Sequence, residues 1–385
     1  MAVATGVGVA NLYFPQAITP LFARSLGVSD GAAALVTTIT QLGYVVGVFF
    51  LVPLGDRLPR RPLISTLFVL IAVGLVLAGT AHSLTVLLVA SALVGLVTVV
   101  PQMLIPMAAD IAPAGQLGRV VGTVQGGLLG GILLARAFGG TVGEWFGWRA
   151  PYLVSGGLAL LLAIALISSL PSTRISSSQN YPALVATSVR LFATRSDLRR
   201  SSLYQASLFA GFTAAWTSIA LDLTSSAYGY GTDVVGIVAL VGAGSLLCAP
   251  LAGRVIDRRG PDDVNLICFA GMAVAALVLL GGTLHGAAGL TALIAGMLLL
   301  DVSVQSSHIA NQFRVFSLDA AARSRLNSGY MTSVFLGGAV GSWMGARAYV
   351  ELGWGAVCGL VALAAAIAFA RHLPYIRRAS LAEGR

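Results

Sequence analysis

Asp301, Gln305, His308 and Gln312 follow one another at +4, +7 and +11, directly after fifteen residues, 286 to 300, that carry no charge. On a helix that spacing gathers all four within an arc of about 60°. A carboxyl, an imidazole and two amides on one narrow face can move protons. The carboxyl can take up a proton when open to one solution and release it when open to another. The imidazole, with an unperturbed pKa of about 6.5, can pass that proton on, and the amides can bind water or a solute. The plainer reading is a hydrogen-bond network that ties helices together.

Other residues carry charge or polarity into apolar surroundings. Arg136 either snorkels to headgroups or faces a cavity as an anion-binding or proton-coupling group, and Asp222 poses the same choice. Asn11, Tyr13, Pro15 and Gln16 crowd one segment, where proline and amides mark a kink or a cavity lining. Asn11 and Gln16 would point about 140° apart on an unbroken helix, so only one is expected to line a cavity. Gln41, Tyr44, Gln102 and Trp216 are further cavity candidates, against a packing role. Asp56 with Arg57, Arg60 and Arg61, and Asp257 with Arg258 and Arg259, combine an aspartate that can cap a helix with arginines that can pair with it. The bland alternative is that these arginines only set topology.

The elements that must position these groups are membrane helices. The chain is 57% hydrophobic and 10% charged, with a mean hydropathy of +0.88, whereas soluble domains are about a quarter charged. Apolar character begins at Ala2 and recurs to the C-terminus, so no separate signal segment is expected. All 23 basic residues are arginine. Without lysine there is neither a phosphate-binding loop ending in Gly-Lys-Ser/Thr nor Schiff-base chemistry. The net charge of +9 sits in short loops, which suits topology and gives no reason to expect a nucleic-acid partner. Cys248, Cys268 and Cys358 lie far apart in apolar runs and read as small hydrophobes, so no metal site is expected.

Apolar stretches of about 20 residues, the length that spans a bilayer core, occur twelve times. Their limits are 2–23, 32–54, 63–81, 84–108, 118–141, 148–170, 202–225, 232–252, 264–283, 287–310, 326–348 and 354–373. Asp301 then lies about 13 residues into span 10, near the midplane. With both ends on one side, 19 of the 23 arginines fall on that side, which makes it cytoplasmic. Residues 171–200, serine-rich and then arginine-rich, read as a linker on the cytoplasmic membrane surface between residues 1–170 and 201–385. The halves repeat: "GDRLPRR" at 55 and "GRVIDRRG" at 253 place their aspartates 257 − 56 = 201 residues apart, while "FGWR" at 146 and "LGWG" at 352 are offset by 206. A six-helix unit used twice is a transporter pattern.

"GRVIDRRG" resembles the cytoplasmic loop signature Gly-x-x-x-Asp-Arg-x-Gly of the major facilitator superfamily, and "PLGDRLPRR" is a weaker copy with Val52 and Pro59 at the glycine positions. With the twelve spans and the duplication, this resemblance covers essentially the whole chain. It implies an all-α membrane protein of two pseudo-symmetric six-helix bundles, and a cytoplasmic latch at Asp56 and Asp257 with their arginines. "NLYFPQ", "LIPMAADIAP", "GRVVGTVQGGLLGGILLAR" and "NQFRVFSLDAAARSRLN" are similar to a drug/proton-antiporter-like bacterial branch. The sequence departs from that branch at Ser91, where span 4 commonly carries arginine, and in span 5, which lacks the Gly-Pro of the antiporter motif.

The resulting expectation is a monomeric inner-membrane secondary transporter without cofactor, exporting small organic molecules in exchange for protons. Symport or facilitated movement of a small polar solute is the alternative. An enzyme reading finds no metal-spaced His/Asp cluster and no serine–histidine arrangement, and a receptor reading finds no soluble sensing domain. In a variant lacking the native cysteines, Cys at position 285 should react with an impermeant thiol reagent in intact cells and Cys at position 178 should not. Labelling at 178 would overturn this topology.

Overall fold

The computed structural model describes residues 1–111, 113, 117–171, 180–242, 244, 249–319 and 322–383. The helices are α1 (Ala2–Ala10), α2 (Phe14–Ala17), α3 (Thr19–Leu26), α4 (Asp30–Phe50), α5 (Arg60–Gly79), α6 (Leu84–Val97), α7 (Val100–Asp110) and α8 (Leu117–Phe146). They continue with α9 (Arg149–Ser169), α10 (Tyr181–Thr194), α11 (Ser196–Leu223), α12 (Thr232–Gly242), α13 (Ala249–Leu280), α14 (Gly286–Ser317), α15 (Arg323–Leu352) and α16 (Trp354–Glu383). Among the described residues, nine helices are long and apolar enough to cross a membrane. The three other expected spans are the broken α1–α3, the region of α12 and the less apolar α15, so the fold accommodates twelve membrane helices.

Local chemistry sets the ends and breaks. Ser29 and Ser83 cap α4 and α6, their hydroxyls accepting from Ala32 N at 3.3 Å and Val86 N at 3.4 Å. Span 1 is interrupted at Asn11, whose amide donates back to the carbonyls of Val7 and Gly8 at 3.1 and 3.2 Å. Pro15 and Pro20 each remove a backbone donor, and Thr19 Oγ1 instead satisfies the Pro15 carbonyl at 3.0 Å. The segment "GRVIDRR", expected as a loop, stays helical up to Gly260, whose φ of 80° breaks α13 immediately before Pro261.

The chain falls into two compact units: residues 1–189 with 219–240, and residues 190–218 with 241–385. Within the first, Glu144 Oε2 accepts from both the backbone N and Oγ1 of Thr232 at 2.8 Å, which holds the start of α12 against α8. From the expected linker, 172–179 lie outside the described residues, while 181–194 form α10, whose Tyr181 hydroxyl donates to the Phe50 carbonyl at 2.7 Å. Partial burial raises the Tyr181 phenol's pKa.

Both units expose apolar side chains and bury charged ones among an apolar core. Leu161 and Leu277 are 65% and 72% exposed, whereas Arg136 and Asp301 are 0% and 2% exposed. That distribution suits a lipid solvent. Burial of polar groups is possible because small residues bring backbones into contact. A Cβ on Gly131 would stand 2.3 Å from the Gly6 carbonyl oxygen, and one on Gly337 would stand 2.3 Å from that of Ala206. The two glycines are 337 − 131 = 206 residues apart and their partners 206 − 6 = 200, so the sequence duplication recurs as the same helix crossing.

Gly341→Val should cost at least about 1–3 kcal/mol of stability by overpacking, since its Cβ would fall 2.0 Å from the Ala210 carbonyl oxygen. Unfolding midpoints in detergent check this, with Gly359→Ala, which meets nothing within 4 Å, as the neutral control.

Candidate functional site

The stripe on α14 lies within the second unit. Asp301 is 2% exposed, and its Oδ1 accepts from Trp216 Nε1 of α11 at 3.2 Å. Two turns on, His308 Nδ1 lies 3.1 Å from the Tyr330 hydroxyl of α15, with the two rings stacked at 5.6 Å. Gln312 Nε2 donates to Asn327 Oδ1 at 3.4 Å. Gln305 is half-buried on the same face. The four residues therefore line up as their spacing predicts. Trp216, singled out separately in the sequence, is brought to Asp301.

The same helix carries a second polar row. Ser307 Oγ donates to Asn265 Oδ1 at 2.7 Å, and Asn311 Nδ2 donates to the same oxygen at 3.0 Å. This buried knot fastens α14 to α13. Its residues lie roughly 110° around the helix from the Asp301 row. Hydrogen bonds already satisfy the knot, which leaves the Asp301 row as the chemically versatile face.

In the first unit, Arg136 is fully buried on α8. Its Nε donates to Gln16 Oε1 at 3.0 Å, and its guanidinium carbon lies 5.0 Å from the centroid of the Tyr13 ring. The side chain therefore turns into the bundle and does not snorkel. Tyr44 accepts from Gln102 Nε2 at 3.1 Å. Gln41 is buried on α4. Because span 1 breaks between them, Asn11 caps its own helix while Gln16 reaches Arg136. Cation, amides and phenols together form a site able to hold an anionic or strongly polar group. Asp222 is 5% exposed at the far end of α11. It lies near Tyr228 in the following loop, whose phenol is pushed up to about 12 by burial first and then by Asp222 and Tyr230.

At the charged ends, Arg60 is the member of its loop that is buried. It pairs with Asp110 at 2.7 Å and with Asp56 at 3.6 Å, and its Nε donates to the Gly55 carbonyl at 3.1 Å. Arg57 is exposed and Arg61 half-buried. In the second unit the side chain of Asp257 lies outside the described residues, and Arg258 and Arg259 are exposed. The ion cluster there centres on Asp262, which pairs with Arg314 at 2.5 Å and Arg200 at 3.3 Å, while His372 Nδ1 stands 3.7 Å away. Sequence reasoning missed Asp110 and Asp262. The repeat offsets carried a signal: 262 − 60 = 202 and 314 − 110 = 204 lie between the offsets 201 and 206, so the Arg60–Asp110 pair recurs in the second unit with its charges exchanged.

Duplicated helical bundles with apolar exteriors, buried charges and arginine-rich ends define a multi-pass membrane transporter. Residues 1–314 match the model of the Major Facilitator Superfamily, and the chain belongs to that family. It is 38% identical over 358 residues to the uncharacterized transporter YgaY of Escherichia coli O157:H7, covering 93% of this chain and 90% of that one. It is 33% identical over 175 residues to multidrug resistance protein D of Escherichia coli K12, covering 45% and 44%. The crystal structure of the nucleoside transporter NupG shares the fold, with a TM-score of 0.73 at 12% identity over 98% of this chain and 99% of that one. The inward-facing, unoccupied structure of a bacterial homolog of the human lysosomal transporter Spinster does so at 0.68 and 17%, over 97% and 96%. The family's work is secondary transport of small molecules, a non-enzymatic function.

Asp262→Asn removes the carboxylate shared by Arg200 and Arg314. A fully buried pair broken in this way costs about 3–5 kcal/mol. Because the Asp262 side chain is 45% exposed, the expected loss is about 1–2 kcal/mol, measured as a lowered unfolding midpoint. Asp262→Glu should recover most of it.

Proposed function

We propose that this chain exports small organic molecules across the bacterial inner membrane by alternating access, driven by entering protons. Both termini and the 171–200 linker lie on the cytoplasmic side in this reading, joining six-helix halves 1–170 and 201–385. One observation carries it above the others: Asp301, 2% exposed in the middle of a 32-residue membrane helix, shares a helix face with His308 and is held by Trp216. Asp301 takes up and releases the proton. His308 passes it toward the cytoplasm, with Gln305 and Gln312 holding the water or solute that bridges them. Arg136, Gln16 and Tyr13, with Tyr44 and Gln102 beside them, orient the polar end of the solute. Asp222 is the alternative coupling group. The pairs built on Arg60 and Asp262 latch the cytoplasmic ends, with Asp56 and Asp257 contributing. The direction of transport draws support from the multidrug-resistance relative.

Symport or facilitated movement of a small polar solute is the second reading. It is favoured by Ser91, a buried small residue where antiporters of the resembling branch carry arginine.

The test uses proteoliposomes and a panel of fluorescent organic dyes. Asp301→Asn should abolish dye movement driven by an imposed pH gradient while downhill exchange of the same dye continues. Gradient-driven movement at the wild-type rate would reduce Asp301 to a structural hydrogen-bond acceptor.

A further inference from the structure

Within the second unit, α11, α15 and α16 enclose a groove of about 650 Å³, inside the range of about 300–1,000 Å³ usual for small-molecule sites. Its floor is the crossing of α11 and α15, where Gly337 and Gly341 meet Ala206 and Ala210 backbone to backbone. Its rims are apolar and open: Leu336, Leu363 and Ile367 are 48%, 52% and 44% exposed. From Arg199 to Ala214 the α11 wall runs fifteen residues, about 22 Å at the helical rise. One leaflet's share of the hydrocarbon layer is about 15 Å.

The charge in the wall is gathered at one end. Arg199, near the start of α11, and Arg371, near the end of the membrane portion of α16, both line the groove. Arg199 donates to the carbonyls of Phe192 and Ala193, and Arg371 lies 6.0 Å from the Tyr375 ring. Among the described residues, neither has a carboxylate within ion-pair distance. Ser202, one turn beyond Arg199 and also in the wall, is 2% exposed, and its hydroxyl has no hydrogen-bond partner among those residues. The groove therefore pairs an apolar trench with a cationic, hydrogen-bonding end at the place where a lipid headgroup would lie.

We propose that this groove binds an anionic glycerophospholipid, one acyl chain lying along α11 and α15 and the phosphate held between Arg199 and Arg371. Guanidinium groups suit that phosphate because each can donate two parallel hydrogen bonds to its oxygens. A zwitterionic lipid brings the same phosphate with its own cation beside it and so compensates the two arginines less, and a soluble phosphate leaves the trench empty.

Native mass spectrometry of the full detergent-purified chain tests this by titration with palmitoyl-oleoyl phosphatidylglycerol or the matching phosphatidylcholine. The phosphatidylglycerol adduct should form at concentrations about tenfold lower. Arg371→Gln should erase that preference, and Leu363→Trp, which fills the trench two helical turns away from Arg371, should weaken the adduct whichever headgroup is used. A melting curve without lipid establishes that each variant is folded; should Arg371→Gln not fold, the lipid preference of the unaltered chain and Leu363→Trp together decide. Equal binding of the two lipids overturns the proposal, as does phosphatidylglycerol binding that both variants leave unchanged. So does displacement of the adduct by glycerol 3-phosphate alone, or a chain dimer whose formation excludes the lipid.

Discussion

A charge at membrane depth has to be solvated by protein, because the hydrocarbon around it offers nothing. Much of this molecule follows from that constraint. Arg136 is fully buried and finds an amide oxygen on Gln16 and the face of Tyr13. Asp301 finds an indole N–H, and Arg314, buried at the end of the same helix, finds Asp262 and the hydroxyl of Ser201. Each partner comes from another helix or another part of the fold. A residue that could do chemistry is therefore also one that fixes how helices pack.

Such partners are within reach only where helices approach closely. Glycine and alanine at the crossings of α1 with α8, α4 with α6 and α11 with α15 bring backbones into contact, which short polar side chains need if they are to meet. Beside the crossing of α11 with α15 the close approach leaves an apolar trench. Breaks serve the same end by another route. Span 1 is interrupted at Asn11 and by two prolines, so its amides are not bound to one helical face, and Gln16 can turn toward Arg136.

The duplication is conserved in geometry more than in chemistry. The crossing at Gly6 and Gly131 recurs at Ala206 and Gly337, yet the buried arginine of the first unit's ion pair becomes an aspartate in the second, and its acidic partner becomes Arg314. An ion pair keeps its attraction when both signs are exchanged. Its surroundings change, however: Asp262 serves two arginines and has His372 nearby, whereas Asp110 serves Arg60 alone among the described residues.

Sequence by itself determined the membrane class, the helical repeat and the Asp301 row, because hydropathy and helical period are local properties written in consecutive residues. It located Arg136 and Trp216 as candidates but not their partners, and it missed Tyr330, Asn265, Asp110 and Asp262. Nothing local marks those residues, since their roles come from helices that are remote in sequence. It also took "GRVIDRR" for a loop, where the helix runs on until Gly260 supplies the positive φ that ends it. Which face of α14 is knotted and which is left versatile was decided by tertiary structure alone. Both rows are polar and both have helical spacing, and only packing against α13 satisfies one of them while the other is left to Trp216 and Tyr330.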